Sequence, residues 1–266
     1  MVGKRENVEI GIIGGTGFYD TGLMKECKEV KVYTPYGEPS DFVTIGIYEK
    51  KRIAFIPRHG KGHRIPPHRI NFRANIWALK ELGVKRIISP SAVGSLVKGA
   101  KPGDLVIPDQ FIDWTKNRPN TFYEGGQVCH ISVADPFCPE LRDIAIKGGV
   151  ELGLKIHGKG TYVCIEGPRY STRAESKLFR TWGADIVGMT LVPECALARE
   201  AKMCYLTVAA ITDYDVWAEK PVTTDEVVKT LSENADKVRD LIRTIIPKIS
   251  IERKCSCGNA LSEALV

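Results

Sequence analysis

The feature that most constrains the fold is an apolar run that ends in two acidic residues. Residues 203–211 read MCYLTVAAI, and Asp213 and Asp215 follow directly. A run of this kind is typical of a strand buried on both faces of a mostly parallel sheet. Open α/β sheets bind their ligands at the carboxyl ends of the strands, so both carboxylates are expected at a binding edge, on one side if the chain stays extended. An acidic turn without function is the alternative.

Length and composition fit one large α/β domain. The chain has 266 residues, 43% of them hydrophobic, and a net charge of +6 without a long run of Lys or Arg. This charge suits a small anionic substrate and predicts no nucleic-acid arm. No stretch approaches the ~20 apolar residues that span a membrane. Since residues 1–8 also lack the apolar core of a signal peptide, we expect a cytoplasmic protein that binds neither nucleic acid nor membrane.

Strand-like and helix-like segments alternate without a repeat or a linker. Strands are predicted at 8–13, 42–47, 51–57, 86–88, 105–108, 160–165, 185–189 and 203–213. Helices are predicted at 71–82, 172–182, 193–202 and from 223 onwards, two of them opened by the capping boxes TRAE and TTDE. The pattern predicts a single domain over 1–266, of class α/β, in which a mixed central β-sheet is flanked by helices. Residues 251–266 form a tail that contains Cys-Ser-Cys.

Several predicted strand ends carry groups that suit an anion. The turn Gly14-Gly15-Thr16-Gly17 can present backbone N–H groups and a hydroxyl. Arg58 and His59 bring a fixed cation and a second donor, which suits phosphate. Ser91-Ala92 and Met189-Thr190 each add a hydroxyl with backbone N–H groups. Singly, each has an ordinary structural explanation, but together they predict an oxyanion site with one cation, several neutral donors and no metal.

The eight cysteines leave two possibilities open. Cys164 and Cys204 lie in apolar runs, where a thiol acts as a small hydrophobic group. Cys255 and Cys257 can form a strained local disulfide or exchange with another pair, so structural disulfides and free thiols both stay open. A zinc site is disfavoured because the sequence has no second closely spaced Cys/His pair. The histidines at 59, 63 and 68 are crowded by Lys and Arg without a carboxylate, which argues against a metal there.

Nine motifs, in order along residues 8–247, resemble the 5'-methylthioadenosine phosphorylases, in the trimeric branch of the purine nucleoside phosphorylases. They lie at 10–17, 58–60, 75–79, 102–104, 109–113, 166–169, 180–185, 189–194 and 212–217. The resemblance implies a nucleoside phosphorylase-like fold and the phosphate-dependent cleavage of 5'-methylthioadenosine to adenine and 5-methylthioribose 1-phosphate, in purine and methionine salvage. It implies no cofactor, inorganic phosphate as co-substrate, and a homotrimer or a dimer of trimers. The Cys-x-Cys tail resembles that of some archaeal members.

The resemblance also implies roles for individual residues. Phosphate would be held by Thr16, Arg58, His59, Ser91, Ala92 and Thr190. The nucleoside would be contacted by Met189 under the ribose, by Tyr170 against the purine, and by Asp213 and Asp215 at the base edge. Tyr214 would be a further substrate contact. Asp213 would be the catalytic residue that supports protonation at N7. Val227 would lie at the 5' end of the substrate, and His130 would reach the 5' end of a neighbouring subunit's substrate.

Ser171 and Thr224 bear on the choice between substrates. Similar enzymes that prefer 6-oxopurine nucleosides, such as inosine, place Asn at the position of Asp213 and Glu at that of Ser171. Asp213 and Ser171 therefore point to adenine, while Thr224, at a position where Val is common, leaves room for adenosine itself. A 6-oxopurine nucleoside phosphorylase remains the main alternative.

Two further alternatives come from other classes of protein. An NAD-dependent oxidoreductase would use the glycines at 11, 14 and 17, but no Tyr-x-x-x-Lys pair is present. A nucleoside-binding regulator would need a separate output domain, and no domain boundary is visible.

Overall fold

The computed structural model describes residues 7–15, 22–218 and 224–266, with 224–229 and 231 described by their backbone alone. The strands are β1 (Ile10–Gly14), β2 (Lys25–Val30), β3 (Val43–Tyr48), β4 (Lys51–Pro57), β5 (Arg86–Ser95), β6 (Leu105–Val106), β7 (Gln110–Trp114), β8 (Ile156–His157), β9 (Thr161–Ile165), β10 (Ile186–Gly188) and β11 (Cys204–Asp213). The helices are α1 (Phe72–Glu81), α2 (Pro139–Glu151), α3 (Arg173–Thr181), α4 (Glu194–Glu200) and α5 (Thr224–Ile245). No helix in this part of the chain has the length and apolar character that crossing a bilayer requires.

All these strands join one mixed sheet, as predicted. Its main order is β2-β3-β4-β1-β5-β10-β9-β7, while β11 pairs with β5 and with β6, and β8 pairs with β6. Strands β1 and β4 are parallel, and so are β1 and β5, and β5 and β11. The carboxyl ends of these four strands therefore lie at the same edge of the sheet.

Strand β11 is apolar throughout because both of its faces are covered. Tyr205, Ala209 and Ile211 belong to a core that also contains side chains of α1 and α4. Leu206 and Val208, which point to the other face, belong to a core formed with α2 and α5. This alternation between two cores explains why the sequence shows a continuous apolar run instead of an apolar–polar alternation.

The predicted helices α1, α3 and α4 are confirmed, and the capping box that opens α3 is present. The Thr172 hydroxyl accepts a hydrogen bond from the Glu175 N–H at 3.1 Å, and the Glu175 carboxylate accepts one from the Thr172 N–H at 2.7 Å. The predicted box at 223–226 lies outside the residues whose side chains are described.

Some elements were not predicted, for identifiable reasons. Strand β2 lies at the edge of the sheet and its residues are mostly exposed, so it carries no apolar pattern. Helix α2 contains Gly148 and Gly149, which lower helix propensity. A Cβ at Gly148 would lie 2.8 Å from Ile245 Cγ2, so this glycine lets α2 pack closely on α5. Strand β5 runs beyond the predicted 86–88 to Ser95 because β11 pairs with it up to Gly94.

The C-terminal tail folds back onto the body of the protein. It contains a 3₁₀ turn at Ser256–Asn259. Its last residues pair with another segment: the His130 N–H donates to the Ala264 carbonyl at 2.7 Å, and the Val266 N–H donates to the Val128 carbonyl at 3.0 Å. The tail thereby fixes the backbone of the segment that carries His130.

Candidate active site

A cavity of about 730 Å³ opens at the carboxyl ends of β1, β4 and β11 and beside the second half of β5. Many of the residues predicted for the site line it: Arg58, His59, Ser91, Ala92, Tyr170, Ser171, Met189, Thr190, Asp213 and Asp215. The structure thus brings these polar strand ends together at one cavity.

The remaining predicted residues lie elsewhere or outside the described part of the chain. Tyr214 is not among the described residues that line the cavity, and its ring packs edge-on against Trp217 at 5.4 Å between centroids. His130 is exposed and also does not line the cavity of its own chain. Thr16 lies outside the described residues, as do the side chains of Thr224 and Val227.

Arg58, the predicted cation of the anion site, already has a counterion inside the protein. Its side chain is 1% exposed, and Nε and Nη2 donate to the two carboxylate oxygens of Glu194 at 2.8 and 3.1 Å. Nη2 also donates to the Ile13 carbonyl and the Ser89 hydroxyl, and Nη1 to the Pro90 carbonyl at 3.2 Å. A buried guanidinium needs a counterion, so its charge is matched inside the protein. Among the described residues, partners are found for four of its five N–H donors, which leaves one on Nη1 for a ligand.

Glu194, the counterion, was not assigned a role from the sequence. It is the first residue of α4, is fully buried, and accepts further hydrogen bonds from the Ser89 hydroxyl at 2.6 Å and the Tyr205 hydroxyl at 2.7 Å. The available signal was an acidic residue between Pro193 and the apolar residues of a helix. A carboxylate in such a place requires a buried cation as its partner.

His59 also differs from its predicted role as a donor. Its Nδ1 lies 2.8 Å from the Ile65 carbonyl oxygen, and its ring stacks on His63 at 4.3 Å. Burial and the nearby charge of Arg58 lower the pKa of His59 to about 3, so the ring is neutral at pH 7. A carbonyl can only accept, so Nδ1 carries the ring's one proton and Nε2 is an acceptor. The anion end thus combines a neutralised Arg58 with a neutral His59.

Two hydroxyls predicted to contact the anion do lie side by side. Ser91 Oγ in β5 is 3.3 Å from Thr190 Oγ1, which follows β10. Ser91 Oγ is also 3.2 Å from the Tyr162 hydroxyl, which is buried in β9. These neighbouring strands therefore bring neutral donors from residues far apart in sequence to one wall of the cavity.

At the other end of the cavity, a backbone turn after β11 brings Asp213 and Asp215 together. Strand β11 ends at Asp213, and Asp215 has a left-handed φ of 51°. The turn lets the Asp215 N–H donate to Asp213 Oδ1 at 2.7 Å, while the Thr212 hydroxyl donates to Oδ2 at 2.5 Å. A Cβ at Gly94 would lie 2.8 Å from Asp213 Oδ1, so glycine is needed there. The chain does not stay extended past Asp213, so the condition for a common orientation of the two side chains is not met, but both reach the cavity.

Asp215 is the more buried of the two carboxyl groups. It is 4% exposed, and its Oδ2 has no hydrogen-bond partner among the described residues; the same is true of Ser171 Oγ. Burial raises the pKa of Asp215, while the nearby hydroxyls of Ser176 and Ser171 and the Val216 N–H oppose the rise. An unmet acceptor and an unmet hydroxyl in a cavity wall are suited to the polar edge of a ligand.

We expect Asp215→Asn to raise thermal stability at pH 7. Because the pKa of Asp215 is raised in the folded state, the folded state binds this proton more tightly than the unfolded state does. The stabilisation from this proton is fully present below the unfolded pKa and is lost as the pH rises through the folded pKa. A neutral amide avoids this loss, and the expected rise in Tm is on the order of 2 °C. Scanning calorimetry at several pH values should show the advantage shrinking towards acid pH. Asp213→Asn, at a carboxylate with bonded oxygens, is the control and should not stabilise the protein.

Four cysteines distant in sequence converge away from the cavity. The Sγ atoms of Cys138, Cys204, Cys255 and Cys257 all lie within 4.8 Å of one another, and no disulfide joins them. Cys255 Sγ is 3.4 Å from Cys204 Sγ and 3.7 Å from Cys138 Sγ. The argument against a zinc-type ligand set, which rested on sequence spacing, is therefore wrong: the fold supplies the second pair of thiols.

Comparison with known proteins places these features in a family. Residues 9–247 match the model of the phosphorylase superfamily, which argues against the dinucleotide-binding alternative. An S-methyl-5'-thioadenosine phosphorylase from Thermofilum pendens is 61% identical over 98% of this chain and 100% of the relative. That of Saccharolobus solfataricus is 59% identical over 100% of both chains.

Solved structures agree with the sequence comparison. A methylthioadenosine phosphorylase sourced from an antarctic soil metagenomic library superposes with a TM-score of 0.92 at 48% identity, over 98% of this chain and 93% of the other. A mutant adenosine/methylthioadenosine phosphorylase from Schistosoma mansoni, in complex with methylthioadenosine, gives 0.91 at 39% identity over 96% of both chains. Because the family model matches residues 9–247 and the sequence relatives are about 60% identical over nearly the whole chain, the chain belongs to the phosphorylase superfamily.

Proposed function

We propose that the chain catalyses the phosphate-dependent cleavage of 5'-methylthioadenosine to adenine and 5-methylthioribose 1-phosphate. One observation carries the proposal: a single cavity holds oxyanion donors at one end and two carboxyl groups at the other. The similar proteins from Thermofilum pendens and Saccharolobus solfataricus are S-methyl-5'-thioadenosine phosphorylases, which supports the same substrate here.

At the anion end, phosphate is held by neutral donors more than by net charge. The hydroxyls of Ser91 and Thr190 and the remaining N–H of Arg58 line that part of the cavity. Because Arg58 is paired with Glu194, the charge of the phosphate itself is left to interact with the reacting sugar. We assign Ala92 to the same subsite, and Thr16 remains a proposed contact.

The reaction needs charge stabilisation at two places. As the bond between C1' and N9 breaks, its electron pair moves to the purine, positive charge develops on the ribose, and a phosphate oxygen forms the new bond to C1'. The bound phosphate stabilises the ribosyl cation electrostatically. The purine leaves more readily when N7 is protonated or hydrogen-bonded, which is general acid catalysis. We assign Met189 to the ribose, Tyr170 to the purine and Asp213 to N7, because all three line the cavity.

The base edge explains a preference for adenine. The exocyclic amino group of a 6-aminopurine is a donor, and the unpartnered Asp215 Oδ2 beside Ser171 is a suitable acceptor. A 6-oxopurine would instead turn an acceptor oxygen towards this carboxyl group. We therefore propose methylthioadenosine as the preferred substrate, with adenosine tolerated and inosine disfavoured.

We expect Asp213→Asn to lower kcat/KM for methylthioadenosine at least about tenfold, since an unsatisfied buried polar group costs about 1–3 kcal/mol. The same variant should lose part of its preference over inosine. The measurement is kcat/KM for methylthioadenosine, adenosine and inosine, on both proteins, at saturating phosphate. If the wild type prefers inosine, the 6-oxopurine alternative replaces the adenine assignment. An unaffected variant would remove Asp213 from the mechanism.

Removal of the Glu194 charge should lower the thermal stability and make it depend more strongly on phosphate. Taking one partner from a buried ion pair costs about 3–5 kcal/mol, so Glu194→Gln should lower Tm by about 5 °C or more. A bound phosphate supplies the missing negative charge next to Arg58, so added phosphate should raise Tm more in this variant than in the wild type. Glu200→Gln is the matched control, because Glu200 is a buried carboxylate of the same helix that accepts from the Thr121 hydroxyl instead of an arginine. Equal phosphate shifts in all three proteins would contradict this account.

We also propose that the active unit is a homotrimer, alone or as a dimer of trimers, in which His130 completes the site of a neighbouring subunit. The proposal is supported by the position of His130, which is exposed and does not line the cavity of its own chain. The tail holds its backbone in place through the 2.7 Å bond to Ala264.

Mixed oligomers test this sharing. His130→Ala subunits keep Asp213 but lack the neighbour's histidine, whereas Asp213→Asn subunits can supply that histidine. Co-expression of the two variants should therefore give more activity per subunit than the average of the two pure variants. Activity equal to that average, or a fully active monomer in light scattering, would argue against a shared site.

For the cysteine cluster we propose that Cys138, Cys204, Cys255 and Cys257 form two disulfides in the mature protein. The support is that their four sulfurs already lie within 4.8 Å of one another, three of them buried. Such bonds would tie the tail to the start of α2 and of β11, and closing long loops stabilises the folded state.

Alkylation of the denatured, unreduced protein should label the other four cysteines and spare these four. Reductant should lower Tm before it lowers activity, since the cluster lies away from the cavity. Substitution of Cys27, which is exposed, by Ser is the control and should not change the thermal response to reductant. Labelling of all eight cysteines would argue against disulfides. One metal ion per chain in elemental analysis would show that the four cysteines bind a metal as thiolates instead.

A further inference from the structure

The hydrogen bonds of His59 determine which of its ring nitrogens carries the proton. Nδ1 lies 2.8 Å from the Ile65 carbonyl oxygen, which can only accept, so Nδ1 is the donor. The ring is 3% exposed and lines the cavity. Burial and Arg58 disfavour a second proton and lower the pKa of His59 to about 3. Nε2 therefore offers a lone pair to a ligand of the cavity, and not a hydrogen.

A lone pair in an anion site repels an oxyanion unless that oxyanion has a hydrogen to donate. Both arginines among the described residues that line the cavity already have a counterion: Arg58 is paired with Glu194 at 2.8 Å, and Arg64 with Asp41 at 3.2 Å. Neither therefore offers a free positive charge to offset this repulsion. Ser91 and Thr190 can each donate one hydrogen through their hydroxyls. At pH 7 inorganic phosphate is a mixture of HPO₄²⁻ and H₂PO₄⁻, and both forms have at least one O–H group.

We infer that His59 makes the site selective for protonated oxyanions: HPO₄²⁻ binds with its O–H donated to Nε2 of His59. This inference rests on the proposed function and deepens it, because it concerns which form of phosphate the same site takes. The hydrogen is then held at one known oxygen, and the remaining oxygens stay unprotonated. An unprotonated oxygen is the better nucleophile towards C1', so His59 acts as an orienting group for the bound phosphate.

The consequence is a discrimination between anions of similar size and shape. Arsenate, like phosphate, carries a hydrogen at neutral pH and satisfies Nε2. Sulfate has the same tetrahedral shape and charge as HPO₄²⁻ but no hydrogen, so its oxygen faces the lone pair. Because this buried contact leaves a lone pair of Nε2 facing an oxygen without a hydrogen, we expect sulfate to bind at least about tenfold more weakly than phosphate.

Titration calorimetry of the intact wild-type protein at pH 7 with phosphate, arsenate and sulfate tests the inference. Phosphate and arsenate should bind with similar Kd and sulfate with a Kd at least about tenfold higher. In His59→Gln an amide N–H₂ can turn towards the anion, so sulfate should bind more tightly and the ratio should approach one. His68→Gln is the control on the same segment, because His68 is exposed and is not among the described residues that line the cavity. It should keep the wild-type ratio.

A second measurement on the wild type does not depend on how well the variant folds. Nitrogen NMR of the phosphate complex should show His59 neutral, with its hydrogen on Nδ1. A doubly protonated ring in that complex, or equal Kd values for sulfate and phosphate in an active phosphorylase, would overturn the inference and leave the proposed function standing. A protein that binds neither anion and shows no phosphorolysis would overturn both.

Discussion

The buried ion pair between Arg58 and Glu194 is the interaction on which the architecture of the site depends. It connects the end of β4 to the start of α4, and the same guanidinium donates to Ile13 in β1. Ser89 in β5 and Tyr205 in β11 also donate to the Glu194 carboxylate. The two charges satisfy each other with paired hydrogen bonds, which is the condition under which a buried ion pair is tolerated. These hydrogen bonds hold four parallel strands and a helix together at the anion end of the cavity.

This pairing changes the electrostatic character of the site. A free arginine would have attracted phosphate through net charge, whereas the observed wall consists of hydroxyls, one remaining arginine N–H and a neutral imidazole. Binding then relies on direction and hydrogen-bond complementarity more than on attraction at a distance. At the opposite end, burial raises the pKa of Asp215, and its Oδ2 has no hydrogen-bond partner among the described residues. The cavity therefore separates an end with hydroxyl and arginine N–H donors and one imidazole acceptor from an end with two carboxyl groups, which matches a nucleoside held against phosphate.

Local patterns in the sequence were sufficient for much of the fold. The apolar run before Asp213 marked the central strand because both faces of β11 are buried. The capping box at Thr172 marked the start of α3 because its two hydrogen bonds involve residues only three apart. The elements that the sequence did not predict are stabilised mainly by contacts with other parts of the fold. Strand β2 is exposed at the sheet edge, and α2 carries glycines that make sense only against α5.

The sequence by itself determined the class of fold, the residue types of the site and, through its motifs, the family. Only the tertiary structure decided the state of those residues. The charge of Arg58 is balanced because Glu194, far away in the chain, is buried beside it. Nε2 of His59 is an acceptor because the ring's one hydrogen is on Nδ1, which donates it to the Ile65 carbonyl. The four cysteines meet because α2, β11 and the tail come together. The charge balance of Arg58 and the cysteine cluster depend on distances between segments that are remote in sequence, and the protonation of His59 depends on how its own loop folds. Local sequence patterns contain neither kind of information.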